Sequence, residues 1–354
     1  MGLKLAVAGA TGLVGQELLR IVEEQLDGVE DLGLYASAAS SGLTQSWLNR
    51  KWRIAELAGC DFSKYDAAFF CVGDELSAKH VPRALQAGCA VVDKSNTYRL
   101  SPDVPLVVSG VNDEAIKANN RLVANPNCST IILAHALAPL ARRYGLRRVW
   151  AATYQSVSGA GGPGVDQLAR QMSNQGAPHA LLKRPQTDAE SFAYNVVPAI
   201  GKLDGLGRCG EEAKLVEETR KILSLPQLSV IAHSVRVPVV IGHSIAVTVE
   251  LDTHADRDEL ANAWWEAPDV LYMGEALPEP LSAARHDQVE VGRLRPEPQL
   301  KHGWSFFVSG DNLRLGAALN GWRILELMID AGVLGADLPA RALRESLLKE
   351  KQDG

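Results

Sequence analysis

Disulfide bonding, structural zinc and membrane insertion all lack their usual signatures in this sequence. The five cysteines, Cys60, Cys71, Cys89, Cys128 and Cys209, stand singly, with no C-x-x-C pair and an odd total. That excludes a disulfide framework or a cysteine-rich zinc site and points to a reducing compartment. Basic residues number 36 against 42 acidic ones, and they cluster only in short pieces such as Arg142-Arg143 and Arg147-Arg148. No nucleic-acid or anionic-membrane partner is therefore expected. The apolar start "MGLKLAVAGATGLVG" is too short and too glycine-rich for a signal or membrane helix, and Ala6 breaks the myristoylation pattern. Internal repeats and low-complexity segments are also missing. These absences describe a cytoplasmic protein with no metal site.

What is present is ordinary globular material on a two-domain scale: 354 residues, 46% hydrophobic and 22% charged. In the first part, short apolar runs (Leu3 to Ala8, "LGLYAS", "AAFFCVG", "CAVVDKS", "PLVVSGVN") alternate with helical segments such as "QELLRIVEEQ" and "SAKHVPRALQAG". Alternation of this kind predicts a parallel sheet wrapped by helices, ending near Asn127. The second part groups its strands. "RRVWAATYQSVSGAGGPG" reads as a strand running into a glycine-rich loop and "GEEAKLVEETRKIL" as a helix. "LSVIAHSVRVPVVIGHSIAVTVELD" alternates, interrupted by Pro238 and Gly242. A mixed or antiparallel sheet is expected there. "GDNLRLGAALNGWRILELMIDAG" predicts a late helix of about 15–20 residues after a capping "DN". Residues 172–190 are polar and suggest no element.

The first motif is "GATGLVG". Gly9, Gly12 and Gly15 are spaced GxxGxxG, follow a strand and open a helix, where phosphate can sit on backbone N–H groups and the helix dipole. That context favours a dinucleotide site over a tight turn with close packing. An NAD site usually places an acid at the end of the second strand. Here "LYASAASSG" carries none, and Ser37, Ser40 and Ser41 supply hydroxyls compatible with a 2′-phosphate. NADP is favoured over NAD, the alternative being a serine-rich surface loop.

The second motif is "VANPNCSTIILAHALAPL". It puts Cys128 at the mouth of a helix, where a thiolate is stabilised, although most intracellular cysteines are simply small buried residues. A nucleophile needs a proton partner. His135 lies on the same helix and faces packing or solvent. His243, after Gly242 at a strand break, can be aimed into a cleft. Arg236 is seven positions earlier, an odd separation that opposes the two on an unbroken strand; Pro238 and Gly242 supply the break. Glu211 and Lys214 share a helix face, a spacing that usually means a solvated ion pair.

"NPNCST", "TYQSVSGAG", "EEAKLVEETRKIL", "VRVPVVIGHS", "YRLSPDVPLVV" and "SGDNLRLGAALN", in order over nearly the whole chain, resemble bacterial aspartate-β-semialdehyde dehydrogenases. The resemblance implies NADPH-dependent reduction of aspartyl 4-phosphate to the semialdehyde, a step toward Lys, Met and Thr. It implies Cys128 as nucleophile, His243 as general acid/base and Gln155 as an orienting residue. Arg236 would hold the substrate α-carboxylate and Glu211 its α-ammonium. Arg99 and Lys214, with Asn127 beside them, would bind phosphate. Expected cofactor contacts are Gly9, Ala10, Thr11, Gly12, Leu13, Val14, Gly15, Ser37, Ser40, Ser41, Gly73 and Asn312. The implied fold is a Rossmann-like NADP-binding domain, 1–127 plus about 316–354, and an α+β catalytic and dimerisation domain, 128–315, in a homodimer. Two positions depart from the family pattern: Ala39 replaces a common arginine of the NADP loop, and Lys94 a common asparagine. An N-acyl-glutamyl-phosphate reductase and a catalytically silent dinucleotide-binding paralogue are the alternatives.

Overall fold

The computed structural model describes residues 2–24, 29–47, 50–174 and 191–334. Residues 175–190, most of the unassigned polar stretch, and 335–354, the end of the expected cofactor domain, lie outside the described residues. The chain divides into two contact units, one of residues 1–126 with those after 316, the other of residues 127–316.

The apolar runs of the first unit pair side by side. β1 (Leu3–Ala8), β2 (Val29–Ala36), β5 (Ala55–Glu56), β6 (Ala67–Phe70), β7 (Ala90–Asp93) and β8 (Leu122–Ala124) form a sheet in the order β5-β2-β1-β6-β7-β8. Every pairing in it is parallel. β6 and β7 are wholly buried and β1 exposes only Lys4, as expected of central strands covered on both faces. A small hairpin, β3 (Thr44–Trp47) with β4 (Arg50–Arg53), stands apart. α1 (Leu13–Glu24) buries Leu18, Ile21 and Val22 at helical spacing. α2 (Asp74–Gln86) follows β6. α8 (Asn320–Asp330) stacks Trp322 on Phe69, ring centroids 6.5 Å apart. The order reverses direction between β1 and β6, the place where open parallel sheets bind ligands at their strand ends.

One expected strand is absent among the described residues. "PLVVSGVN" makes a lone bridge, Leu106 to Ala124, and the sheet edge is instead β8. Side chains take the backbone donors that a ladder would need. Asn112 Oδ1 accepts from Val108 N, Asn320 Oδ1 from Ser109 N and Asp113 Oδ1 from Gly110 N.

In the second unit, β9 (Leu146–Gln155), β10 (Ser229–Arg236), β11 (His243–Leu251), β12 (Val270–Tyr272), β13 (Val289–Pro296) and β14 (Gly303–Gly310) form a mixed sheet, order β10-β9-β11-β14-β13-β12. β10/β9 and β12/β13 are parallel, the rest antiparallel. α3 (Cys128–Tyr144) packs on this sheet and is buried from Ser129 to Leu140. Ile131, Ile132, Leu133, Leu137 and Leu140 are fully buried, each worth about 1.5–3 kcal/mol, so the helix holds its N-terminus rigidly. α4 (Gly162–Asn174), α5 (Gly210–Ile222), α6 (Arg257–Trp265) and the short α7 (Pro280–Ala283) complete the unit. The alternation of β9 leaves Trp150, Ala152 and Tyr154 on the opposite face. With Ile231, Ala246 and Phe307 they line an open depression of about 460 Å³.

The late helix starts as a π-helical stretch, Arg314–Leu319, before α8. Asp311 Oδ1 accepts from Leu313 N and Arg314 N, so the aspartate of "DN" caps this start. No helix among the described residues is long and apolar enough to cross a membrane, and no group of three or more His, Cys, Asp or Glu there could hold a metal ion.

Candidate active site

The three glycines of the first unit do different jobs. Gly9 has φ +86°, and a Cβ there would lie 2.3 Å from Cys71 O. A Cβ on Gly15 would lie 2.2 Å from Gly9 O. Both positions therefore require glycine for the tight turn and the close packing of helix on strand. At Gly12 the nearest atom to a Cβ is Gly9 O at 3.4 Å, an open side that leaves room for a ligand to approach the backbone. This division of roles is the one a pyrophosphate loop needs, so the residues fit a dinucleotide. The N–H groups of Gly9 and Ala10 both bond Tyr35 O and are committed to the turn. Thr11, Leu13 and Val14 stand at the mouth of α1, whose first-turn N–H groups have no intrahelical acceptor. After β2, Ser37 and Ser41 are exposed around the short turn Ala38–Ser40. Gly73 caps α2 after β6, across the direction reversal from Gly9.

In the second unit the cysteine loop is anchored from three sides. Asn127 is the N-cap of α3: its Oδ1 accepts from Ser129 N at 2.9 Å. Its Nδ2 donates to Glu211 Oε1 at 2.7 Å. Its backbone N–H donates to Glu218 Oε2, also at 2.7 Å. Cys128 follows as the first helical residue, partly exposed, with Sγ 3.2 Å from His243 Nε2. Gly316, inside the π-helical stretch, backs onto it, since a Cβ there would meet Cys128 Cβ at 3.2 Å. A π-helical turn at such a position is common at functional sites.

The strand break works as expected. β10 ends at Arg236 and β11 begins at His243, with Gly242 at φ +88°. Both side chains turn onto the loop after β9. Arg236 Nη1 donates to Ser156 O at 2.7 Å, and Ser156 N donates to His243 Nδ1 at 3.1 Å. A Cβ on Gly159 would stand 2.9 Å from Arg236 Nη1 and 3.3 Å from His243 Cε1, so this glycine keeps the space beside both open. Burial, with the Arg236 guanidinium nearby, pushes the His243 imidazole down to about 3.

Glu211 and Lys214 are not a solvated surface pair. Glu211 is buried, and its carboxylate receives Asn127 Nδ2, Gln155 Nε2 at 3.1 Å and Lys214 Nζ at 3.2 Å. Burial would raise its carboxyl, but Lys214 and the two amide hydrogen bonds outweigh that and hold it below the usual range. Asn127, Cys128, Gln155, Glu211, Lys214, Arg236, His243 and Asn312 are thus all placed by the second unit. Arg99 belongs to the first, buried, with Nε on Asn125 O, Nη1 on Asn96 Oδ1 and Nη2 on Lys94 O. Asn312 is buried and bonded to the loops around His243. His135 is buried in the body of α3.

Sequence reasoning missed Ser156, Ser158, Glu218 and Gly159. For Glu218 there was a signal: it lies seven residues after Glu211, two helical turns along the same face of α5. Replacing Glu218 by Ala leaves the buried Asn127 N–H without this acceptor, at a cost of about 1–3 kcal/mol. Urea unfolding should show that loss for Glu218→Ala and recover most of it for Glu218→Gln, whose amide oxygen still accepts. Equal stability of Glu218→Ala and wild type would remove the anchoring role.

Family models for the semialdehyde dehydrogenase NAD binding domain and dimerisation domain match residues 4–119 and 137–315. A protein of Aquifex aeolicus described as aspartate-semialdehyde dehydrogenase is 35% identical over 94% of this chain and 100% of its own. A Vibrio cholerae protein described as aspartate-semialdehyde dehydrogenase 2 is 38% identical, over 92% of this chain and 97% of its own. The crystal structure of aspartate semialdehyde dehydrogenase II of Vibrio cholerae complexed with ASA superimposes with a TM-score of 0.88 at 36% identity, covering 93% of this chain and 99% of that one.

Proposed function

Because the chain belongs to the aspartate-semialdehyde dehydrogenase family, an oxidoreductase family with a nicotinamide-dinucleotide domain, we propose that it reduces aspartyl 4-phosphate to aspartate 4-semialdehyde through a thioester on Cys128. The observation that carries this reading is the pairing of Cys128 Sγ with His243 Nε2 at 3.2 Å, at the capped start of α3 and beside Arg236 and Glu211. The sulfur attacks the acyl carbonyl, and N–H groups of the first turn of α3 hold the developing oxyanion. Lys214, with Asn127 beside it, receives the phosphate that leaves. Arg236 and Glu211 match the α-carboxylate and α-ammonium. Gln155, fixed between Thr153 Oγ1 and Glu211, orients the reacting acyl group. His243 is the acid–base partner of the sulfur and of the carbonyl oxygen. When bound, the reduced nicotinamide supplies the hydride.

In this reading residues 1–127 with those from about 316 hold the cofactor, and 128–315 carry the chemistry and the dimer contact. The uncovered apolar face of Trp150, Tyr154 and Ile231 suits a second copy. Phosphate-dependent reduction of NADP by aspartate semialdehyde, run beside the N-acetylglutamate semialdehyde analogue, tests the substrate. Turnover of only the N-acylated compound would favour an N-acyl-glutamyl-phosphate reductase, and turnover of neither a silent paralogue.

NADP is the cofactor of this reading because β2 ends without an acid, at Ala36 followed by Ser37. Ala39 is exposed and offers the 2′-phosphate no charge. Ala39→Arg should therefore raise the NADP preference, by up to about 1 kcal/mol or roughly fivefold for an exposed pair. Comparing kcat/KM for NADP and NAD checks it, and a wild-type preference for NAD would overturn the assignment.

A further inference from the structure

Resting on the dinucleotide assignment above, we propose that Lys94 stands at the nicotinamide end of the cofactor site and makes this chain hold the reduced cofactor in preference to the oxidised one. The direction of the cofactor follows from the sheet. A dinucleotide bound across a reversal of strand order puts one nucleoside on each side of it. The serine turn after β2 is the adenosine side, because the 2′-phosphate belongs there. The nicotinamide half must then run the other way from Gly12, over the ends of β6 and β7.

Lys94 is built into those ends. It is the residue after β7, and its N–H donates at 3.1 Å to the carbonyl of Phe70, the last residue of β6. Its own carbonyl accepts from Arg99 Nη2 at 2.6 Å. The backbone is thus pinned on both sides, and the sheet sets where the side chain starts. With Val14 from the mouth of α1, Cys71 after β6, Asn125 after β8 and Ala317, Lys94 lines a small, largely apolar cavity. Val14 joins this cavity to the glycine loop. Desolvation raises the Cys71 thiol, and the Lys94 ammonium opposes it, so the charge acts at the strand ends.

That charge has no partner of its own. Among the described residues no carboxylate forms an ion pair with Lys94, and no acceptor meets its Nζ. Asp93, the neighbouring acid, is engaged elsewhere. It is wholly buried, successive strand residues point to opposite faces, and its two oxygens accept from Ser77 Oγ at 2.7 Å and Ser95 Oγ at 2.6 Å. An unneutralised cation beside apolar walls acts over several ångströms. The two states of a nicotinamide ring differ by one unit of charge, the reduced ring being neutral and the oxidised ring a cation. Lys94 is therefore nearly indifferent to the reduced form and repels the oxidised form. In the proposed direction of reaction the reduced form enters and the oxidised form leaves, so Lys94 favours that direction without touching the reacting atoms. The asparagine common in the family at this position is neutral, so the bias comes with the lysine.

Equilibrium binding to the full-length protein tests this. The dissociation constant of NADPH is read from its fluorescence and that of NADP⁺ from displacement of NADPH, for wild type, Lys94→Met and Lys94→Arg. The adenosine half alone, 2′,5′-ADP, is the control. Lys94→Met should tighten NADP⁺ by roughly three- to tenfold, the reach of one partly exposed charge, and leave NADPH and 2′,5′-ADP nearly unchanged. Lys94→Arg keeps the charge and should keep the wild-type ratio of the two constants. Added salt should narrow the difference between wild type and Lys94→Met. Because Nζ meets no protein acceptor, thermal unfolding of both variants should match wild type. An unchanged NADP⁺ to NADPH ratio in Lys94→Met, whether both bind as before or both weaken together, would overturn the proposal and in the second case make Lys94 a phosphate contact. Binding of neither form, nor of 2′,5′-ADP, by wild type would overturn the dinucleotide assignment along with it. The NADH and NAD⁺ pair carries the same charge difference and should show the same shift in ratio. None of these readouts uses the substrate, so failure of the semialdehyde assay would sink the proposed reaction while leaving this result standing.

Discussion

Cys128→Ala should lose essentially all turnover, on the order of the 10⁶-fold seen when a catalytic nucleophile is deleted elsewhere, while keeping its fold and its dinucleotide affinity. The chemistry demands the first half: without the sulfur there is no thioester to receive hydride, and water or phosphate cannot substitute at the same carbon. The geometry supports the second. Cys128 is the first residue of α3, partly exposed, and the cap that starts the helix belongs to Asn127, whose Oδ1 and backbone N–H bonds do not involve the sulfur. Alanine is the best helix former and retains the Cβ against which Gly316 packs. The glycine loop lies in the other contact unit. Thermal unfolding and NADPH binding should therefore match wild type in the same preparation that shows no activity. Substantial phosphate-dependent activity in Cys128→Ala would mean the nucleophile is another group. Alkylation should modify Cys128 ahead of Cys60, Cys89 and Cys209, all of which are buried.

Arg236→Leu should cost the amino-acid substrate about 2–5 kcal/mol, the usual penalty for stranding one partner of a desolvated charge pair. At tenfold per 1.4 kcal/mol this is roughly 30- to 4,000-fold in kcat/KM. Arg236 is buried and held by Ser156 O, and Gly159 leaves the space beside it clear. Arg236→Lys keeps the charge and loses the planar fork, so it should recover only part of the loss. The control is a short aldehyde carrying neither α-charge. Arg236 also stands beside the Cys128–His243 pair, so some loss on the short aldehyde is expected from weakened thiolate support. Recognition is the larger role if the amino-acid substrate loses much more. An equal loss on both substrates would make Arg236 a support of the chemistry and leave the substrate assignment to family likeness alone.

Much of this was legible from the chain because the deciding physics is local. The buried runs Leu3–Ala8, "AAFF" and "AVVD" announce central parallel strands by having no polar face. GxxGxxG between a strand and a helix announces a turn that only glycine can make. Asn127 before Cys128 is a helix cap readable from two residues, and the break at Pro238 and Gly242 is written in residues that cannot continue a ladder. Other features depend on partners far along the chain. "PLVVSGVN" has strand composition, yet Asn112, Asp113 and Asn320 capture its donors, and Asn320 is more than two hundred positions away. Glu211 and Lys214 have the spacing of an idle surface pair; the Glu211 carboxylate becomes buried and multiply bonded only because α5 packs on α3 and brings it to Asn127 and Gln155. The hydrogen-bond partners around His243 come from the loop after β9 and from an asparagine after β14. A sequence names residue types and local periods, whereas the direction of a hydrogen bond and the desolvation of a charge exist only once those distant segments are packed together.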